Sequence, residues 1–218
     1  MQRRTQTRRG FTLVELSIVL VIIGLIIGGV LTGQQIIEHA RLTNSLNAIQ
    51  AYQAQLQTYQ QNFGALPGDD PNALARFPNV TPAVVSGDGS GALSGAFDTT
   101  TATAETRQLW AHLRAAGLVK NQLAASNSTA VQPPNPFGGI FGFQTGAFNS
   151  AFTTTVLCLN NIPAAAAQAI DTQLDDGAPN AGTIQAMVDS GTAGAATNGT
   201  VVTSYGGAQA YILCIRTN

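Results

Sequence analysis

Apolar residues fill one unbroken block near the start of the chain and then thin out to a helical period. From Phe11 to Leu31 only Thr12, Glu15 and Ser17 interrupt an apolar run of about 21 residues, enough to cross a bilayer as a helix. Beyond it, Leu42, Leu46, Ile49, Tyr52 or Gln53, Leu56, Tyr59 and Phe63 make one stripe, and the opposite face is Gln, Asn, Ser and Thr. No proline occurs before Pro67. The pattern therefore predicts one long helix over 11–63, with 11–31 the membrane-crossing part, ended by Gly64 and Pro67.

The remainder, 64–218, reads as a globular head of mixed elements. Residues 64–100 are rich in Asp, Asn, Gly and Pro, which is turn chemistry. Thr103–Leu118 has the spacing of a second helix, with Trp110 expected in the packing and His112 on the surface. The block 132–143 is irregular and then enters a strand. Phe148–Leu159 reads as a strand through its β-branched and aromatic residues, and Pro163–Leu174 as a short helix opened by proline. A closing hairpin turned at Asn198-Gly199, between Ala195 and Val202, and a last strand over Ala208–Arg216 complete the expectation. The fold class is α+β: a long N-terminal helix on an antiparallel sheet of about four strands, with two short extra helices.

Charge is scarce and uneven. Four of the ten basic residues (Arg3, Arg4, Arg8, Arg9) precede the apolar block, leaving six against eleven acidic residues for the rest. By the positive-inside rule these arginines stay in the cytoplasm and everything after Leu31 lies across the membrane. A mildly acidic remainder lacks the clustered Lys and Arg that neutralise phosphates, so no nucleic-acid partner is expected. An ordinary signal peptide fits less well: the apolar run is too long for an h-region, and no small-x-small site follows it.

The two cysteines, Cys158 and Cys214, both fall late in the chain. In a reducing compartment they would be two buried thiols. Outside the cytoplasm a Cys158–Cys214 disulfide is expected, closing a loop worth roughly 3–4 kcal/mol in the chain-entropy model.

Glu15 stands out, since a carboxylate inside a membrane segment needs a partner, a function, or a place close enough to the headgroups to reach water. The residues around it, Arg8-Arg9-Gly10-Phe11-Thr12-Leu13-Val14-Glu15-Leu16, resemble the processing site of type IV prepilins and type II secretion pseudopilins. A basic leader, a glycine before the cut, an aromatic after it and a glutamate four residues on all match. The resemblance implies that 1–10 is a leader removed by a prepilin peptidase, which cuts between Gly10 and Phe11 and N-methylates Phe11. It implies that Glu15 then compensates the Phe11 ammonium of an adjacent subunit during assembly. Many pilins carry a proline within this helix; here the corresponding region reads Gly28-Gly29-Val30-Leu31-Thr32-Gly33 and has none. Leu66-Pro67-Gly68-Asp69, Glu105 with Trp110, Leu113 and Ala116-Gly117-Leu118, and Asp171 with Asp175-Asp176-Gly177 and Pro179 are similar to motifs in bacterial pilin-like heads.

Candidate chemistry elsewhere is thin. Gly87-Asp88-Gly89-Ser90-Gly91 lacks the Lys-Ser/Thr of a phosphate loop. The two histidines, His39 and His112, fall in different predicted helices, and with no Gly-x-Ser-x-Gly elbow no hydrolase constellation forms. Cysteine and histidine lack zinc spacing. Asp69–Asp70 and Asp171, Asp175 and Asp176 offer hard oxygens of the kind calcium takes, but they fit turn and cap chemistry better. No catalytic activity, metal or cofactor is expected.

The reading is a structural subunit of a pilus-like extracellular filament, made as a single-pass inner-membrane precursor with a cytoplasmic N-terminus. Its partners are further copies of itself, the prepilin peptidase and the assembly platform of the inner membrane. The alternative is a pseudopilin or minor pilin of a type II secretion or competence machine, ending in a periplasmic pseudopilus. A single-span periplasmic binding module, uncut at Gly10, is the reading from another class.

Overall fold

The computed structural model describes residues 12–81, 83–120 and 131–217. Its elements in chain order are α1 (Leu13–Phe63), α2 (Ala73–Arg76), α3 (Glu105–Ala115), β1 (Phe141–Ala147), β2 (Phe152–Pro163), α4 (Ala164–Leu174), β3 (Ile184–Val188), α5 (Ala195–Asn198) and β4 (Ala210–Arg216). Two compact units divide the chain, one ending at Arg41 and one running from Leu42 to the C-terminus.

In the first unit α1 continues through Gly24, Gly28 and Gly29 without a break. Thr12 starts the helix. Its carbonyl accepts the Leu16 N–H, its hydroxyl accepts the Glu15 N–H at 3.3 Å, and the Glu15 carboxylate reaches back to the Thr12 N–H at 2.8 Å. Thr-x-x-Glu is thus a capping box. Large apolar side chains from Leu13 to Ile37 are exposed in this unit.

The second unit holds the core. Ile49, Leu56 and Tyr59 of α1 are buried, flanked by Leu42, Leu46, Tyr52 and Phe63 on the stripe the spacing predicts. Gly64 ends the helix in the left-handed region (φ +65°), open to a residue without Cβ, and donates its N–H to the Gln60 carbonyl. The four strands form one sheet in the order β1-β2-β4-β3, every neighbouring pair antiparallel.

Both faces of that sheet are covered. Phe141, Phe143, Leu157, Leu159, Leu213 and Ile215 join the cluster that includes α1, Trp110 of α3 and Ile170 of α4. Alternate residues Val156, Cys158, Ile212 and Cys214 meet Phe97, Phe148, Phe152 and Ala196 on the other side. A strand buried on both faces reads as a continuous apolar run, which is why Tyr211-Ile-Leu-Cys-Ile215 shows no alternation. Cys158 and Cys214 are direct cross-strand partners, 4.1 Å apart at Cα, and are joined by a disulfide within the second cluster.

Three expectations are corrected. Residues 148–151 form the β1–β2 turn and not the start of a strand: Phe148, Asn149 and Ser150 all take positive φ. Phe148 tolerates this because its ring is buried and its N–H donates to the Ala196 carbonyl at 2.7 Å. No hairpin turns at Asn198-Gly199. Ala195–Asn198 is one helical turn, and Gly199 follows it packed so closely that a Cβ would sit 2.1 Å from Met187 Sδ. The strand that stands in its place is β3, only five residues long and bordered by turn residues. Finally, α3 is shorter than 103–118: Gly117 (φ +71°) and Leu118 donate to the Arg114 and Leu113 carbonyls, a Schellman end.

Candidate processing and assembly site

Gly10 and Phe11 lie outside the described residues. Glu15, the third residue of α1, has its Oε2 bonded by the Thr12 N–H at 2.8 Å and the Thr12 hydroxyl at 2.9 Å. The carboxylate therefore has two donors from its own chain. It also stands at the positive end of the helix dipole, where an acidic side chain is favoured. The sequence marks Glu15 as an oddity within the span, and the Thr12 spacing that explains its accommodation is equally legible there.

Downstream of Glu15 the first unit is a single apolar surface. An 18-residue stretch of α1 has a mean hydropathy of 2.7, and none of it is buried within the chain. Among the described residues this is the one helix long and apolar enough to cross a membrane. A surface of that kind is stable in lipid or against other apolar helices, and not in water.

In the second unit the acidic residues singled out by sequence act on backbone amides. Asp69 Oδ1 accepts the Gly89 and Ser90 N–H groups at 2.7 and 3.1 Å, and Oδ2 accepts Gly91 at 2.7 Å. Glu105 accepts Asp88 and Ser94 N–H groups at 3.1 and 2.8 Å. Asp69, Asp88 and Glu105 come together, as do Asp171, Asp175 and Asp176. In the second trio Asp175 accepts the Ile184 N–H at 2.9 Å and Asp171 takes the Tyr205 hydroxyl at 2.6 Å. These oxygens accept backbone and hydroxyl hydrogen bonds that order the loops around them. Burial pushes the Asp171 carboxyl up, against the hydrogen bonds from Tyr205 and Gly177.

Trp110 is fully buried, edge-on to Tyr52 at 5.0 Å between ring centres. His112, expected at the surface, is also fully buried: its Nδ1 accepts the Gly68 N–H at 2.8 Å and its Nε2 faces the Val85 carbonyl at 2.8 Å. The sequence hides this because the partners are backbone groups of loops 44 and 27 residues away. Burial holds the imidazole below its usual pKa, outweighing the Val85 bond and the nearby Asp70 and Glu105 charges.

The chain matches the family model for the prokaryotic N-terminal methylation motif over residues 5–31, which leaves the second unit outside the match. No curated protein matches the chain.

Proposed function

We propose, from the prepilin methylation motif that this chain carries, that it is a structural subunit of a type IV pilus-like filament. The motif and the apolar helix behind it fit an inner-membrane-anchored precursor. In this reading a prepilin peptidase cuts between Gly10 and Phe11 and methylates the new amino terminus. The processed helix then exchanges lipid contacts for contacts with other copies of itself, at little hydrophobic cost because both surroundings are apolar. Glu15 sets the register by pairing with the Phe11 ammonium of a neighbour. In low dielectric such a pair attracts far more strongly than in water, and a stranded charge is costly.

The observation that carries the proposal is the continuity of motif and surface: residues 5–31 match the methylation motif, and the described part of that stretch presents its large apolar side chains unburied. The head, on this reading, carries whatever adhesive or partner specificity the filament has.

The test is to shear the cells, image the released fraction by electron microscopy and take the mass of this chain within it. Filaments built of a chain that begins at N-methylated Phe11 are the expected result. A processed chain confined to the envelope, with no filament, would replace the pilus subunit by a pseudopilin or minor pilin. An uncut chain would overturn both.

A further inference from the structure

One face of α3 holds two stretches of loop in place. Glu105, Gln108 and His112 succeed one another along it. Glu105 takes the Asp88 and Ser94 amides, Gln108 Oε1 takes the Val85 N–H at 2.9 Å, and His112 accepts the Gly68 N–H through Nδ1 and donates through Nε2 to the Val85 carbonyl. The fit is close. A Cβ on Gly68 would lie 2.4 Å from the Glu105 carbonyl oxygen, and one on Gly87 would lie 2.3 Å from the Asp69 Cα.

The protonation state of His112 follows from its partners. A backbone N–H can only donate, so Nδ1 is bare toward Gly68, and Nε2 carries the proton that bonds the Val85 carbonyl. Other polar groups around the ring are committed. The Tyr59 ring from α1 stacks at 6.2 Å, and its hydroxyl donates to Asp70. Asp70 also accepts the Asn72 N–H and Arg76 of α2, and Glu105 on α3 itself accepts the loop amides.

We infer that His112 is an acid-sensitive clasp: a second proton, taken from solvent onto Nδ1, turns the acceptor of the Gly68 N–H into a donor, and segments 66–70 and 84–94 part from α3 while the sheet stays paired. Burial sets the direction. With its folded pKa depressed, the imidazole binds the extra proton more readily in the open state, so the clasp holds above about pH 6.5 and weakens as the pH falls below it. The same segments build a pocket of about 340 Å³, lined by Phe63, Leu66, Asp69, Arg76 and Gly91 among others. Its shape therefore changes with the clasp.

Hydrogen–deuterium exchange of the full chain in detergent, corrected for intrinsic rates, tests this between about pH 7.5 and about pH 5. The expected result is at least about a tenfold loss of protection in peptides covering 66–70 and 84–91, with β2 and β4 unchanged. His112→Gln, whose amide supplies a donor and an acceptor without titrating, should lose that pH response. Unchanged protection in the wild type, or the same loss in His112→Gln, overturns the proposal. If that variant does not fold, carbon NMR of histidine-labelled wild type decides: the Nε2–H tautomer, gaining its second proton as the loops open, supports the clasp. An Nδ1–H tautomer, or titration without loop opening, refutes it.

Discussion

The Tyr59 hydroxyl donates to Asp70 Oδ2 at 2.8 Å, tying the last full turn of α1 to the loop that follows it. Asp70 is fully buried and collects three further donors, the Asn72 N–H at 2.9 Å and Arg76 Nε and Nη2 at 3.1 and 3.4 Å. Arg76 in turn lies over the Phe63 ring, 4.9 Å from its centre. One carboxylate thereby locks the end of the helix, the Gly68-Asp69-Asp70 loop and α2 together.

Removing either partner should be measurable by chemical denaturation. Tyr59→Phe deletes one hydrogen bond to a charged group, an expected cost of about 1.5–3 kcal/mol. Asp70→Ala strands Arg76 and the Tyr59 hydroxyl and should cost more, about 3–5 kcal/mol. Burial works to raise the Asp70 pKa, but the bonds from Asn72, Tyr59 and Arg76 outweigh it and hold the carboxyl below the usual range. Its contribution is therefore full above about pH 4 and lost as the pH falls through the folded value. Equal stability of Asp70→Ala and wild type at neutral pH would contradict this account.

Gly68→Ala should destabilise the second unit by about 2–4 kcal/mol, through a positive φ and overpacking together. Gly68 sits at φ +93°, and its Cβ would meet the Glu105 backbone, which is part of a helix and cannot swing aside as a side chain would. Gly91→Ala is the control, because Gly91 also has a positive φ (+83°) but faces open space. If the two variants unfold at the same denaturant concentration, close packing on α3 is not what Gly68 supplies.

What the sequence made legible was set by range. The helix of α1 rests on a local period and a missing proline, and its end on Gly64, so it could be read residue by residue. The strands of Cys158 and Cys214 were legible as apolar runs, though not that both faces were covered. His112 was misread because its two backbone partners come from distant loops. At Asn198-Gly199 the expected hairpin is replaced by the helical turn Ala195–Asn198, and Gly199 packs against Met187 of β3, a neighbour that the local sequence does not disclose. At the N-terminus the motif around Gly10 and Glu15 depends on identity at fixed spacing, and it was readable without any fold.

The disulfide should matter more to the unfolded chain than to native contacts. Replacing Cys158 and Cys214 together by alanine opens a 56-residue separation, an expected loss of about 4 kcal/mol in the chain-entropy model. Both sulfurs lie in residues with no exposure, so thiols should reduce the bond slowly in the folded protein and rapidly in denaturant. Denaturation curves with and without reductant check both points. A wild type that loses nothing on reduction would show that the paired strands alone hold β2 to β4.

The capping box makes it possible to separate the local duty of Glu15 from the one proposed for it in assembly. Locally it closes the first turn with Thr12; in a filament it would face a neighbour's Phe11 ammonium. Glu15→Gln keeps an acceptor for the Thr12 N–H and removes the charge. It should therefore leave processing and helix start intact, with methylated subunit in the membrane and filaments lost. Thr12→Ala does the reverse, removing the hydroxyl at a cost of about 0.5–2 kcal/mol while retaining the carboxylate, so filaments should persist. Counting filaments in sheared fractions, beside the mass of the membrane-held chain, distinguishes the two. If Glu15→Gln makes filaments in wild-type number, the carboxylate serves the helix and not the neighbour. If both variants lose them, the position that Thr12 gives the carboxylate is itself part of assembly.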